Sequence, residues 1–289
     1  MAVTIGVFDG VHLGHKQLLS RLKELAAQKN LLTGVITFRQ HPQEVLSPHK
    51  PLPCLTSLEQ RIELIKAAGI DTVIPLSFTP EMANLTAREF VSLLKKYLRL
   101  KWLVIGPDFA LGREREGSAA ALSQLGKEMG FGVTAVPPMK IKGEVVSSTV
   151  IRKALAEGDM SKVRRLIGRP FRLKGTVVAG VGRGTGLGFP TANIQPKPEL
   201  ALPGDGVYAT LAYVGDKTYP SVTNIGKRPT FKEKGRTIEA HLLDFQGDLY
   251  GQKLTLEVVE RIRGEQRFAS AEELQQQIKL DIEKAREIL

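Results

Sequence analysis

Cysteine and aromatic residues are both scarce in this chain. The single cysteine, Cys54, excludes a disulfide within the chain and favours a reducing compartment, so we expect the cytoplasm. Aromatic residues make up 6% of the chain, which leaves little material for the stacking platforms of single-strand nucleic-acid-binding proteins. No apolar run approaches the roughly 20 residues that a membrane-spanning helix needs. The N-terminus also lacks the basic and apolar regions of a signal peptide, so we expect no membrane association.

Basic charge is in excess, with a formal net charge of +11 over 289 residues. Such a balance attracts polyanions, whether nucleic acids or phosphate-rich small molecules. The lysines and arginines cluster in short loops, several of them among acidic residues, and they form no basic tail or regular stripe. The net charge therefore favours nucleic acid only weakly.

Strands and helices alternate in the first half of the chain, from Val3 to about Ile167. This alternation predicts βαβ units and a Rossmann-like α/β domain with a parallel sheet covered on both faces. Capping-box spacing predicts helix starts at Thr56 with Glu59 and at Thr86 with Glu89. The predicted strands are "VTIGVF", "LTGVITF", "TVIPL", "WLVIG" and "GVTAV".

Strands follow one another directly in the second half, separated by glycine and proline. This pattern predicts an antiparallel β-barrel or sandwich, and a terminal helix that begins at Ser270 closes the chain. The change falls near "LIGRPF", so we expect domains at residues 1–167 and 168–289. The predicted strands are Leu173 to Val178, Val207 to Val214, Tyr219 to Asn224, Thr237 to Leu243 and Lys253 to Ile262.

Two of the five histidines, His12 and His15, lie in "GVFDGVHLGHKQLL". We expect the strand to end near Phe8 and a helix to begin around His15 or Lys16. A helix N-terminus accepts anions, glycines allow close approach of the backbone, and imidazole N–H groups reach phosphate oxygens. Two alternatives remain: the histidines are hydrogen-bonded turn residues, or they are metal ligands.

A second anion-binding set lies in "VSSTVIRKAL", where Ser147, Ser148 and Thr149 precede a helix with Arg152 on its first turn. Hydroxyls, N-terminal amides and a guanidinium together suit a phosphate. The alternative is an ordinary helix cap with a surface arginine.

A glycine occupies every second position from Gly180 to Gly188, in "GVGRGTGLGFPTAN". The stretch fits neither the P-loop nor the dinucleotide-binding pattern. It is either a flexible hairpin or a loop whose N–H groups surround phosphates, with Thr191 and Asn193 offering oxygens to Mg²⁺.

A carboxylate, Glu239, lies inside the apolar strand "TIEAHLL". Burying a charge is costly, so Glu239 either has a partner or faces outward on an alternating strand. His241 shares its strand face, and we expect a structural role for it. Upstream, "NIGKRPTF" places Asn224 and Arg228 at the end of a strand.

The motifs of the first half resemble the HxGH and SSTxxR signatures of the nucleotidyltransferase superfamily. With "ITFRQHPQEVL" and "GPDFALGREREG", they resemble in order and spacing the FAD synthetase half of bifunctional riboflavin kinase/FAD synthetases. The resemblance implies that His12 and His15 contact the phosphates of ATP. It also implies that Ser148, Thr149 and Arg152 close over them. The other implied ATP-binding positions are Gly6, Phe8, Asp9 and Gly14.

The "GPDF" turn places Asp108 near the nucleotide or the flavin in this family. The segment after it departs from the family pattern, with Leu111 in place of an aromatic residue and Ser118 after the glycine.

The second half resembles the riboflavin kinase of the same family through "PTAN". The resemblance implies that Thr191 and Asn193 hold Mg²⁺ with ATP and that Glu239 is the general base. The implied ATP-binding positions are Gly182, Gly184, Gly188 and Pro190. The implied flavin or nucleotide contacts are Asn224 and Arg228.

A member of this family phosphorylates riboflavin to FMN and then adenylylates FMN to FAD with release of pyrophosphate. The resemblance implies ATP, riboflavin and FMN as ligands and Mg²⁺ as cofactor. We expect a monomer or weak homo-oligomer that binds no nucleic acid. Two alternatives remain: only the kinase is active, or the basic chain is a nucleic-acid-binding or regulatory protein that senses flavin.

Overall fold

The computed structural model describes residues 1–46, 52–180, 183–227 and 236–289. The chain divides into two compact units, Met1–Ser148 and Thr149–Leu289. Each unit is described by itself below. In the described part of the chain, no helix combines the length and the apolar character needed to cross a membrane.

The first unit is built on a parallel sheet, as the alternating pattern predicts. Its strands are β1 (Ala2–Ile5), β2 (Thr33–Phe38), β3 (Thr72–Leu76), β4 (Trp102–Ile105) and β5 (Gly132–Ala135). They lie in the order β3-β2-β1-β4-β5, with Val3 paired to Gly34 on one side and to Leu103 on the other. The order changes direction at β1, and the chain that leaves β1 therefore lies at the switch point where α/β sheets bind ligands.

Helices cover both faces of this sheet. They are α1 (Leu13–Gln28), α2 (Pro42–Leu46), α3 (Leu58–Ala67), α4 (Pro80–Ala83), α5 (Ala87–Leu98) and α6 (Ala119–Met129). Ala2 and Val35 face a cluster with Leu22 of α1 and Ile65 of α3. Val3 and Ile36, one position further along each strand, face the opposite cluster, which contains residues of α5 and α6. A hairpin of β6 (Lys140–Ile141) and β7 (Glu144–Val145) follows.

Helix starts agree with the sequence in one place and differ in another. The capping box of Thr86 with Glu89 opens α5 as predicted. The predicted box of Thr56 with Glu59 is wrong, because α3 is capped one residue later by Ser57 with Gln60. Thr56 Oγ1 instead accepts a hydrogen bond from the Gly10 amide, 3.0 Å away.

The ends of β1 and α1 also differ from the sequence prediction. The strand ends at Ile5, three residues before Phe8, and α1 begins at Leu13 with His12 as its N-cap. The turn between them is therefore longer than predicted. The side chains of Thr56 and Ser148 hold it through hydrogen bonds to its backbone.

Leu111 and Ser118, where the sequence departs from the family pattern, both have roles within the unit. Leu111 is buried in the cluster that contains α5 and α6. Ser118 is the N-cap of α6 and accepts a hydrogen bond from the Ala121 amide. These two positions therefore serve packing and capping.

The second unit contains a closed antiparallel barrel. Its strands are β8 (Phe171–Val178), β9 (Ala192–Gln195), β10 (Gly206–Val214), β11 (Lys217–Lys227), β12 (Arg236–Leu242) and β13 (Lys253–Arg263). They close in the order β10-β11-β12-β9-β8-β13. The structure therefore selects the barrel over the sandwich. The sequence missed β9, a strand of four residues that begins at the alanine of "PTAN".

The helices of this unit are α7 (Ser148–Glu157, whose first residue closes the first unit), α8 (Met160–Ile167), the short α9 (Arg183–Gly186) and α10 (Ala271–Ile288). Helix α10 packs Ala285 against Val207, Ala209 and Val222 on the outer face of the barrel. It begins at Ser270, whose hydroxyl accepts from the Glu273 amide as predicted. The compact units meet at Ser148, whereas the sequence boundary at residues 167 and 168 stays a prediction.

Candidate functional site

The turn from Phe8 to Val11 links β1 to α1 at the carboxyl edge of the sheet. Its backbone is strained, because Phe8 and Val11 have positive φ values of 53° and 39°. Gly10, at 79°, is the member of the turn that tolerates such a conformation, and a Cβ there would lie 2.9 Å from Leu55. Strained residues of this kind persist where surrounding contacts over-determine them, often at functional sites.

His12 and His15 come together directly after this turn. Their rings stack with centroids 3.6 Å apart, and the His15 ring also contacts Phe8 at 5.0 Å. The His15 amide donates to His12 Nδ1 over 3.2 Å, so Nδ1 carries no proton and a neutral His12 has its proton on Nε2. Among the described residues, the buried Nδ1 of His15 has no hydrogen-bond partner. The two rings thus form a compact pair of imidazoles at a helix N-terminus.

Burial lowers the pKa of His15 well below its usual value, and the neighbouring His12 ring and Arg61 lower it further. His15 is therefore neutral at physiological pH. A neutral imidazole on a helix N-terminus is a hydrogen-bond donor that a phosphate oxygen can accept from.

Arg61 is a residue of this site that the sequence reasoning missed. Its side chain comes from α3, is 2% exposed, and donates from Nη1 to the Phe38 carbonyl oxygen over 2.8 Å at the end of β2. Its Nε has no partner among the described residues. A signal was present in the sequence: Arg61 lies one helical turn before the buried Ile65, on the apolar side of α3. A charged side chain on the buried side of a helix needs hydrogen-bond partners to offset the cost of its burial.

Asp9 connects the turn to the backbone that precedes α3. Its carboxylate accepts from the Leu55 amide at 2.8 Å and from the Thr56 amide at 3.1 Å, and it is 2% exposed. Its carbonyl oxygen accepts from Ser148 Oγ at 2.9 Å. Ser148 therefore lies against the turn that precedes the histidines. The Asp9 carboxylate holds the same turn in place through the Leu55 and Thr56 amides.

Other predicted positions of the first motif lie in the same region. A Cβ at Gly14 would lie 3.2 Å from the His12 ring and from the Val146 carbonyl oxygen, so its absence allows this close approach. A Cβ at Gly6 would contact the Phe8 ring at 3.2 Å.

Asp108 is exposed in the loop after β4.

Thr149 and Arg152 lie on the first turn of α7, in the second compact unit. Thr149 is exposed and Arg152 is partly buried.

A row of polar side chains crosses three strands of the barrel. Glu239 on β12 lies opposite Asn193 on β9 and opposite Asn224 on β11. Directly opposed residues of antiparallel strands share one face of the sheet. Asn224 in turn pairs with Val207, which α10 covers, so the row lies on the outer face. Glu239 therefore faces outward, which was one of the two alternatives that the sequence left open. An outward position is compatible with a role in a site, because its neighbours in the row are polar.

Asn193 is the buried member of this row. It is 8% exposed, and its Oδ1 has no hydrogen-bond partner within the described residues. A side chain at Gly180 would collide with the Asn193 amide group, so the glycine makes room for it. An orphaned amide oxygen beside a carboxylate and a threonine hydroxyl fits the all-oxygen ligands that Mg²⁺ prefers.

The glycine-rich segment leads into this row. Gly184 lies against Thr191, with 3.2 Å between its Cβ position and Thr191 Oγ1. Gly188 has a φ of +85°, and Pro190 is exposed next to it. Two predicted site residues, Gly182 and Arg228, lie outside the described residues.

Comparisons with known proteins cover nearly the whole chain. The FAD synthetase family model matches residues 1–150, and the riboflavin kinase family model matches residues 167–289. The bifunctional riboflavin kinase/FMN adenylyltransferase of Escherichia coli (strain K12) is 41% identical, over 99% of this chain and 91% of that protein. The protein of the same name from Bacillus subtilis (strain 168) is 35% identical, over 98% of this chain and 90% of that protein.

The chain belongs to the bifunctional riboflavin kinase/FMN adenylyltransferase family. The resemblance expected from the sequence is therefore confirmed. A crystal structure described as a macrolide-efflux protein from Streptococcus pneumoniae shares the fold, with a TM-score of 0.91 and 31% identity over 99% of this chain and 93% of that chain.

Family membership explains why the two sets of polar residues lie in different units. The stacked histidines belong to the part matched by the FAD synthetase model, and the Glu239 row belongs to the part matched by the riboflavin kinase model.

Proposed function

We propose that this chain catalyses two successive transfers from ATP, first to riboflavin and then to FMN. The names of its relatives support both activities, and each matched part of the chain carries its own group of polar residues. The wider proposal includes a cytoplasmic location, small-molecule ligands without nucleic acid, and a monomeric or weakly self-associating chain.

In the kinase reaction, the ribityl 5′-hydroxyl of riboflavin attacks the γ-phosphorus of ATP. The bond between that phosphorus and the β,γ-bridging oxygen breaks, and ADP leaves. The Glu239 carboxylate takes the hydroxyl proton, as a general base within reach of the nucleophile. Thr191 and Asn193 would hold Mg²⁺, which neutralises charge on the phosphates when bound. Gly184 and Gly188 keep the loop backbone close to those phosphates.

In the adenylyltransferase reaction, a phosphate oxygen of FMN attacks the α-phosphorus of ATP. The bond to the β-phosphate breaks, pyrophosphate leaves, and FAD forms without a covalent enzyme intermediate. His12 and His15 donate hydrogen bonds to the phosphates at the N-terminus of α1, His15 as a neutral imidazole. Arg61 adds a fixed positive charge behind His15, and Arg152 is proposed to add a second from α7.

The observation that carries the proposal is the row of Asn193, Glu239 and Asn224. It places a carboxylate that can act as a general base beside an orphaned amide oxygen that can bind Mg²⁺, which suits a phosphoryl transfer to a hydroxyl. The test is product analysis after the chain is incubated with riboflavin, ATP and Mg²⁺. We expect FMN with ADP first, and then FAD with pyrophosphate.

A second incubation separates the proposed function from the alternatives. Supplied FMN and ATP that yield neither FAD nor pyrophosphate would leave the kinase as the only activity. Salt-sensitive binding to RNA without ATP turnover would favour the regulatory alternative.

A further inference from the structure

The glycine-rich turn before Thr191 closes on itself. The amides of Leu187 and Phe189 both donate to the Gly184 carbonyl oxygen, over 3.1 Å and 2.8 Å. The Phe189 carbonyl oxygen lies so close to Gly184 that a Cβ at this position would collide with it. These contacts shape the turn, but they do not fix it to the barrel.

Two side chains from other elements attach this turn to the unit. Gln275 of α10 donates from Nε2 to the Leu187 carbonyl oxygen over 3.0 Å. His241 of β12 bonds through Nδ1 to the Pro190 carbonyl oxygen over 2.8 Å. Because a carbonyl oxygen only accepts, Nδ1 carries the proton. The His241 ring also meets the Phe189 ring edge-on, with centroids 5.7 Å apart.

The His241 contact lies where the ladder of β9 has not yet begun. That strand starts at Ala192, and Pro190 has no N–H with which to join a sheet. A side chain therefore fixes the backbone directly before Thr191. His241 is two residues from Glu239 on the same strand, so both side chains point to one face. Strand β12 thus fixes the position of the Glu239 carboxylate relative to Pro190, where the chain leaves the turn.

We propose that His241 is a positioning residue of the kinase site. By donating to Pro190 it places Thr191 and Asn193 for the phosphates of Mg-ATP. This inference deepens the proposed riboflavin kinase function and rests on it. It assigns His241 no contact with substrate.

The test uses three substitutions in the full chain. His241→Phe keeps a ring for Phe189 and removes the donor. His241→Asn places an amide N–H near the position of Nδ1, whereas His241→Gln carries the same amide one carbon further out. Steady-state FMN formation is measured with ATP and riboflavin varied separately, and the KM for riboflavin serves as the folding control for the second unit. FAD formation from supplied FMN shows whether the first unit is unaffected.

We expect His241→Phe to raise the KM for ATP about tenfold, the effect of losing one hydrogen bond. The KM for riboflavin and FAD formation from FMN should stay within twofold of the parent. His241→Asn should recover most of the loss and His241→Gln should not. An unchanged KM for ATP in His241→Phe, or equal defects in the Asn and Gln variants, would overturn the inference.

Hydrogen–deuterium exchange of the ligand-free chain gives a readout that needs no activity. Amides of the described turn, residues 184–189, should exchange faster in His241→Phe than in the parent and in His241→Asn. A parent chain that forms no FMN would refute the proposed function. Unchanged exchange in His241→Phe would refute the positioning role of His241 without refuting the proposed function.

Discussion

Two stacked imidazoles and a buried guanidinium form an unusual combination at the start of α1. Protonating His15 would place a second positive charge beside Arg61, in a position with little water to screen it. His15 therefore stays neutral and offers an N–H donor without adding charge of its own. The fixed cation is the guanidinium of Arg61.

The lowered pKa of His15 predicts acid lability of the first unit. Above pH 6.5 the side chain is neutral in both folded and unfolded chains, so it contributes nothing to a pH dependence. Below pH 6.5 the unfolded chain binds a proton that the folded chain refuses, and the free energy of unfolding falls. One such group gives at most about 1.4 kcal/mol per pH unit.

His15→Asn removes this titration and should flatten the stability profile of the first unit between pH 6.5 and pH 5. Urea unfolding at several pH values measures the slope for the parent and the variant. His41→Asn, elsewhere in the same unit, is the matched control. Equal slopes in the parent and His15→Asn would contradict the assignment of His15.

Glu239→Gln should abolish FMN formation, because an amide cannot accept the hydroxyl proton of riboflavin. A loss of at least a hundredfold in kcat is expected from typical contributions of a general base. FAD formation from supplied FMN should remain at the parent rate, and His15→Ala should show the reverse pattern. Loss of both activities in Glu239→Gln would show that the units do not act independently.

At the scale of single elements, some features were readable from the sequence and others were not. The box of Thr86 with Glu89 was predicted because both partners lie within four residues of each other. The same rule failed at Thr56, because Asp9 and Gly10, more than forty residues away, compete for its hydroxyl. Strand β9 was missed because its four residues, "ANIQ", are too few to show alternation.

The candidate sites show the same division between local and distant information. Sequence motifs predicted His12, His15 and Glu239 as site residues by their order along the chain. They could not predict the His12–His15 stacking or the Glu239–Asn193 pairing, because both depend on backbone geometry. Arg61 lay in no motif, and its proximity to His15 follows from packing of α3 beneath the carboxyl edge of the sheet.

Helix α10 gives the prediction at this scale, because a buried ion pair attaches it to the barrel. Arg263 donates from Nε to Asp281 Oδ1 over 2.9 Å and from Nη2 to Oδ2 over 2.8 Å. The side chains are only 16% and 3% exposed. Asp281→Ala leaves the arginine without this partner and should lower the free energy of unfolding of the second unit by about 3 kcal/mol.

Urea unfolding of the second unit checks the effect, and the same helix supplies the control. Lys284 and Glu287 form an exposed pair with side chains 58% and 66% exposed. Glu287→Gln should therefore leave the unfolding midpoint unchanged. Similar effects from the two substitutions would mean that the Arg263–Asp281 pair does not hold α10 in place.

At the scale of the whole molecule, the fold class of each half was predictable because it depends on simple periodicity. Strand–helix alternation led to the parallel sheet, and successive strands led to the barrel. The strand order of the barrel was not predictable, since β9 joins β8 and β12 through contacts that no local pattern encodes. The pairing of Glu239 with Asn193 is a consequence of that order.

The two proposed reactions share no residue, and this separation predicts the behaviour of mixed variants. A Glu239→Gln chain retains the adenylyltransferase residues, and a His15→Ala chain retains those of the kinase. An equal mixture supplied with riboflavin, ATP and Mg²⁺ should therefore form FAD, although neither variant does so alone. The FMN made by one chain must leave it and bind to the other, which predicts a lag before FAD appears.

Chromatography of flavins over time measures this lag, and it should shorten as the Glu239→Gln chain is added in excess. The parent chain at equal total concentration shows whether FMN also passes through solution in the unmodified protein: a similar lag and a similar transient of free FMN are expected. If the mixture accumulates FMN without FAD while the Glu239→Gln chain still converts supplied FMN, the His15→Ala chain that makes the FMN must be retaining it. FMN release would then limit FAD formation in the mixture, since a flavin held at its site of formation does not reach the other chain.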